Sequence, residues 1–500
     1  MKRILILLFL TQSLLGKAQE FPPIVKFPPS TYNAGNQNWM ISQSQNKFVY
    51  FANNEGLLEF NGSEWTLYPS PNETIIRSVK VINDKIYTGC YMEFGYWKRQ
   101  SNGKLNYTSL SKTIQSKIID EEQFWNILEY EHWVIFQSLN QIFILDTKTS
   151  KIKIITPKDI IFKSYVTSKS IFYQTSTDGF YEIEKGQSRL ISNDLFFIQN
   201  KIVSVFQKKE SLLLLTQYEG FYEYKNGIIT KWKTDADTDL NASSVYCGQE
   251  NSNGDFVIGT VSNGVFIIDA TGKTIYHLTQ SKGISNNTAL SLFEDKDHNI
   301  WIGLDNGINC INLKSPIHSF IDTSGILGTV YTSIKHQDKL YIGTNQGLFW
   351  KQSNTGDDFK KVAGTKGQVW SLFVKEGTLF CGHDSGTYII ENQTAKSIYS
   401  KTGTWKFESV PSNKNLILQG NYYGISVLEK VNNSWRFRNK INGFDYSSKY
   451  FEINNKSGAL APGEQIQSLL AFAMSQLDLH ADCDLNVTFV RRKTPATLGA

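Results

Sequence analysis

A chain of 500 residues with a net charge of only +5 offers no electrostatic case for a nucleic-acid partner. Aromatic residues make up 13% of it and suit half-buried pleated surfaces, so the first expectation is all-β rather than helical. Five widely spaced cysteines (Cys90, Cys247, Cys310, Cys381 and Cys483) show no metal-ligand spacing and read as small buried hydrophobes. An oxidising compartment would permit a disulfide, but the sequence names no pair.

Residues 1–18 read as a secretory signal peptide. Lys2 and Arg3 precede the apolar run Ile4 to Leu10, and Gly16-Lys17-Ala18 forms a small-residue cleavage site. Cutting after Ala18 removes Lys2, Arg3 and Lys17 and lowers the net charge from +5 to +2. No other stretch approaches the ~20 apolar residues of a membrane span. The expected location is periplasmic or extracellular.

A repeat begins next. "NTALSLFEDKDHNIWIGLDNGINCINL" (Asn287 to Leu313) alternates apolar and polar residues three times, with turns between, which predicts three short strands. Its landmark, a glycine after a polar turn, recurs at Gly56, Gly95, Gly179, Gly220, Gly264, Gly307, Gly347, Gly386 and Gly424. One further copy, "SLNQIFILD", has Gln141 in place of the glycine. Ten copies with a period of about 41 residues result, and an eleventh starts at "GFDYSSKYFEI" (Gly443 to Ile453). Each copy adds a weaker fourth strand such as "KTIYHL". Four strands in about 40 residues, repeated, predict a β-propeller. Ten copies exceed one ring of four to eight blades. The expected division is a first propeller of about seven blades over 19–320 and an incomplete second ring over 321–456.

Composition changes at Ser457. Residues 457–500 hold seven alanines, against eight in 19–456. "GEQIQSLLAFAMSQLDL" predicts an amphipathic helix after Pro462, with Ile466, Leu469, Leu470, Ala473 and Leu477 on one face. This atypical helical tail is expected to be foreign to the repeat protein.

Motifs for chemistry are scarce. "DATGKT" (Asp269 to Thr274) lacks the first glycine and the strand-to-helix setting of a phosphate loop. Asp235, Asp237, Asp239 and Asn241 have calcium-loop spacing, but Leu240 replaces the required glycine and Tyr246 the bidentate Glu, so a solvated loop is expected. Catalytic residues, cofactor and metal are therefore expected to be none. Propellers bind ligands at the mouth of the central channel, where inner strands begin. Trp39, Arg77, Trp125, Lys163, Tyr331, Trp370 and Trp405 stand at or near those positions. Aromatic faces stack on sugar rings, while Arg and Lys orient hydroxyl or acidic groups.

At "LSLFEDKDHNIWIGLDNGI" the chain resembles the two-component regulator propeller repeat. Ser291, Asp295, Trp301, Ile302, Gly303, Gly307 and Ile308 carry the resemblance. "LYIGTNQGL" (Leu340 to Leu348) matches with Tyr341 in place of Trp, and "FVIGTVSNGV" (Phe256 to Val265) with one extra turn residue. The likeness is strong in three copies and architectural elsewhere between about residues 35 and 453. It implies the periplasmic sensor half of a bacterial regulator, truncated before its β-sandwich, membrane helix and kinase or helix-turn-helix output. A small-molecule or oligosaccharide ligand and a dimer are compatible with it. Membrane anchoring would come only through parts not in this chain. The other readings are an exported propeller enzyme, a lyase or glycosidase, and a protein-interaction scaffold.

Overall fold

The computed structural model describes residues 20–320, 322, 325–353, 358–411, 413–443, 445–449, 451–454 and 486–488. It divides into two compact units, Glu20–Ile321 and a second beginning at Asp322. The signal peptide, Cys483 and the helix expected after Pro462 lie outside the described residues.

The first unit is built from seven four-stranded antiparallel sheets. Six are continuous in sequence, spanning 38–69, 78–109, 126–155, 161–192, 202–232 and 245–278. The seventh takes Ala289–Glu294, Asn299–Leu304 and Ile308–Asn312, and receives Ile24–Phe27 as its outermost strand, with Phe27 opposite Ile308. Each inner strand lies beside the inner strand of the next sheet, and the seventh lies beside the first, so the ring closes. The N-terminal strand thus ties the end of the ring to its beginning and covers the outer edge of Ile308–Asn312.

The second strand of each sheet explains the packing. Val49–Asn53 and Phe256–Thr260 are buried throughout, because both faces of the sheet are covered by neighbouring sheets. Large rings fill the wedges between sheets: Phe94 packs on Phe124, Phe136 and Phe143 at centroid distances of 4.7, 4.4 and 5.4 Å. At the closing seam Trp301 stacks on Phe27 at 5.8 Å and meets Phe51 edge-on at 5.7 Å.

The repeat signature acquires a physical account in the seventh sheet. Asp295 accepts the backbone N–H groups of Asp297 and Asn299 at 2.9 and 2.8 Å and the Trp301 indole at 2.8 Å. One carboxylate therefore shapes the acidic turn and orients the tryptophan. Ser291 reaches across to the Asn38 carbonyl at 2.8 Å, and a Cβ on Gly303 would run into both of those groups. The glycine of "WIG" is thus a point of close approach between sheets. Ser78 and Ser204 make the same reach, to Phe124 O at 2.7 Å and Gly248 O at 2.8 Å. The landmark glycines have positive φ, in the turn or opening the strand after it, Gly307 at 98° for example; Gly95 is the exception and sits inside the strand Glu93–Arg99.

The second unit has three four-stranded sheets, over 330–361, 369–399 and 404–440, with inner strands side by side. Beyond them Ser448 N–H bonds Asn421 O at 3.0 Å and Gly424 N–H bonds Tyr446 O at 2.8 Å, so the start of the eleventh copy lies against the tenth sheet. Glu452–Asn454 then pairs with Asn486–Thr488.

Two sequence features resolve as local structure. Asp269 accepts Thr271 N–H at 2.8 Å and Lys273 N–H at 3.0 Å inside a hairpin turn. Asp237–Asn241 forms one short helical turn, with Asp237 accepting the Thr234 hydroxyl at 2.8 Å. Cys90, Cys247, Cys310 and Cys381 are unbridged, and burial pushes the Cys90, Cys247 and Cys310 thiols up to about 12.

Candidate functional site

The inner strands share one irregularity. In the first sheet Asn38 pairs with Asn53 and Met40 with Ala52, which leaves Trp39 as an unpaired extra residue. The same skip leaves out Phe162, Val203, Tyr246 and Leu290. Arg77 and Trp125 stand one place before the first paired residues, with their N–H groups on Gly89 O and Gln137 O at 2.9 Å each. Such bulges re-aim a side chain without disturbing the rest of the ladder. Here all seven side chains line a single cavity of about 620 Å³ on the ring axis, within the usual range for small-ligand sites.

The structure brings Trp39, Arg77, Trp125 and Lys163 together in this cavity. The Arg77 guanidinium lies between two indoles, 4.3 Å from the Trp39 ring centroid and 4.6 Å from that of Trp125. The rings meet edge to face at 6.1 Å. Such cation–π contacts contribute ~0.5–2 kcal/mol each and fix the plane of the guanidinium. Trp39 is anchored through its indole N–H to Asn54 Oδ1 at 2.7 Å, and Asn54 in turn donates to Gln37 Oε1 at 3.0 Å. Arg77 Nε donates to Gln123 Oε1 at 3.1 Å. The Trp125 indole N–H is buried without an acceptor, so a change in its ring orientation sacrifices no hydrogen bond.

Burial lowers the Arg77 pKa, and the nearby Tyr246 opposes that shift. Lys163 borders the cavity and is half-buried. Burial lowers its pKa; Cys247 opposes the shift and Lys201 adds to it. Lys201, at the exposed rim, places its ammonium 5.5 Å from the Phe162 ring centroid. Asn126, Gln137, Gln217, Ser244 and Ser291 supply neutral polar groups. Among the described residues lining the cavity none is Asp, Glu or His. The arrangement can stack, hydrogen-bond and attract negative charge, and it holds no carboxylate pair for acid–base chemistry.

Tyr331, Trp370 and Trp405 belong to the second unit and come together there. Each is the skipped residue of its inner strand. Centroid distances are 4.8 Å from Tyr331 to Trp370, 4.7 Å from Trp370 to Trp405 and 4.7 Å from Trp405 to Tyr422. Trp370 donates to Tyr422 Oη at 2.9 Å, and Lys449 Nζ lies 5.1 Å from the Trp405 ring centroid. Sequence reasoning missed Phe162, Lys201, Tyr246 and Tyr422. Phe162 and Tyr246 carried a usable signal, because each falls one period from its neighbours at the skipped position.

The profile of the two component regulator propeller family matches residues 283–306, the first two strands of the seventh sheet and their approach. No curated protein matches the chain. Among solved structures, the extracellular domain assigned to hybrid two component system BT3049 of B. thetaiotaomicron is similar, with 16% identity and a TM-score of 0.63. The match covers 87% of this chain and 63% of that one. The extracellular domain assigned to hybrid two component system BT4673 of the same organism matches with 15% identity and a TM-score of 0.47, over 87% of this chain and 63% of that one. A streptogramin B lyase matches with 15% identity and a TM-score of 0.46, over 59% of this chain and 98% of that one. The chain thus spans 61–63% of the length of the sensor domains it matches. Among the described residues no helix is long and apolar enough to cross a membrane.

Proposed function

We propose that this chain, a member of the two component regulator propeller family, is the exported ligand-sensing region of a bacterial signal-transduction protein. The observation that carries this reading is the convergence of seven inner-strand residues, one from each sheet, on one cavity: five skipped in the pairing, and Arg77 and Trp125 just before it. A ring in which every sheet aims a side chain at the same space is suited to recognise a small ligand. The Trp39–Arg77–Trp125 cluster, with the guanidinium in the corner between two edge-to-face indoles, offers aromatic surface and fixed donors of the kind an oligosaccharide uses. Occupancy would pass to an output region of the kinase or helix-turn-helix type and change transcription. The Tyr331–Trp370–Trp405 row is a second stacking surface of the same kind.

The test is calorimetry of the purified chain against a panel of oligosaccharides, with product formation followed in parallel. Saturable heat without product supports the sensor. Turnover would replace it with a secreted lyase or glycosidase, and silence in both assays with an interaction scaffold.

A further inference from the structure

We propose that the ligand of the first unit's channel is an acidic saccharide, bearing a carboxylate or sulfate group that seats among Arg77, Lys163 and Lys201. This rests on the reading of the channel as a ligand site and names its ligand class. Three cations line the cavity, and among the described residues no Asp or Glu does. The chain as a whole is nearly balanced, with 51 Lys and Arg against 46 Asp and Glu, so this one-sign lining is a local segregation.

Several basic residues elsewhere find acids. Lys430 meets Glu376 at 2.7 Å, Lys406 meets Glu408 at 2.7 Å and Lys208 meets Glu250 at 3.3 Å. In the channel, the side-chain ammoniums of Lys163 and Lys201 make no ion pair or hydrogen bond with any described residue. Arg77 commits only Nε, to Gln123, and leaves both Nη groups open. A half-buried ammonium without a counter-charge is unfavourable, and a second cation beside it makes it more so. An arriving anion relieves both costs at once. The lowered pKa of Lys163 is what such a site shows before its counter-ion arrives. The flanking indoles argue for a ring-shaped ligand rather than a bare inorganic anion, since a bare anion gains nothing from stacking.

The experiment titrates the full chain with three sets of probes. The first is neutral oligosaccharides, the second uronate and sulfated oligosaccharides of matched length, and the third sodium sulfate and sodium acetate alone. Acidic saccharides are expected to bind at least about tenfold more tightly than their neutral counterparts, and to weaken as salt is raised. Whether uronate or sulfate binds better identifies the anionic group. Lys163→Met and Lys201→Met should each reduce that affinity about tenfold. Lys201 is exposed, so its variant should keep the parent thermal melting curve. An anion bound beside Lys163 should raise its lowered pKa, read as proton uptake from buffer in the pH range where that lysine titrates; Arg77, Lys201, Tyr246 and Cys247 are the titratable groups facing it. Neutral saccharides binding as tightly as acidic ones would overturn the charge assignment and leave the sensor reading standing. Sulfate or acetate matching the sugars would overturn the saccharide assignment. Failure of every probe on a folded chain would overturn the ligand site itself.

Discussion

The two units use the same backbone device to opposite chemical effect. In the first, the residues at the start of the inner strands set a guanidinium against two indoles, and two lysines stand nearby without acids. In the second, the same positions carry Tyr331, Trp370 and Trp405, which run ring to ring and end on Tyr422. The aromatic row satisfies itself: the Trp370 and Trp405 indoles donate to Tyr422 Oη at 2.9 Å and Ser447 Oγ at 3.1 Å. The channel does not, because the two lysine ammoniums, the Arg77 Nη groups and the Trp125 N–H have no acceptor among the described residues. The bulge is therefore the place where the propeller frame sets a direction and leaves the chemistry open. The next paired residues are held by the frame, as Ser291 is by Asn38.

If the units are separate folding bodies, damage to one should spare the other. Trp301→Ala has the largest expected effect. It removes the ring stacked on Phe27 at the strand that closes the first unit, and leaves Asp295 without its indole donor. A loss of ~3–5 kcal/mol follows for a buried aromatic. Denaturant unfolding with proteolytic mapping should show the 20–321 transition move and the second unit's transition stay. A matched pair sharpens this result. Gly303→Ala would press on Ser291 and Asn38, and Gly382→Ala on Ser371 and Thr404, so each should cost ~1–3 kcal/mol in its own unit only. A common shift of both transitions would break the comparison.

Ligand binding separates the units by chemistry. Trp39→Ala and Arg77→Lys should each weaken binding in the channel about tenfold or more. The first removes a stacking face; the second keeps the charge but loses the planar fork. Trp405→Ala, in the second unit, should leave that affinity unchanged. Intrinsic fluorescence and calorimetry on the three variants read this directly. A drop with Trp405→Ala equal to that with Trp39→Ala would assign the ligand to the aromatic row.

Much of the frame was legible because the repeat writes itself in periodic chemistry. A turn glycine, an apolar-aromatic-Ile-Gly strand and an acidic turn each answer a local demand, as Asp295, Trp301 and Gly303 show. The closure was not legible. Ile24–Phe27 reads "IVKF" and carries no mark of its partner, Ile308–Asn312, almost 300 residues away. The site was legible in part. Trp39, Arg77 and Trp125 stand out by type, whereas choosing between Phe162 and Lys163 requires the register, which depends on where the pairing slips. Lys201 was invisible for another reason. Its role comes from the absence of acids on six other sheets, and no local window contains that fact.

The smallest expected effect concerns acid. Each unit carries a histidine whose pKa burial lowers, His277 in the first and His383 in the second, and Asp384 partly opposes the shift at His383. His277 stacks on Phe266 at 3.9 Å and bonds Asn263 O at 2.9 Å; Lys282 and Asp239 are the charges that act on it. Above the ordinary value of 6.5 the ring is neutral both folded and unfolded, and its contribution is complete. As pH falls below 6.5 the unfolded chain takes up the proton first, so stability declines until the folded ring titrates too. His277→Gln removes that proton and should flatten the first unit's Tm against pH by about 1–2 °C between pH ~6.5 and ~5. The second unit keeps its own slope through His383. Equal flattening in both units would mean that acid acts on the chain as a whole, and the two rows of skipped residues would then have to be read as parts of one body.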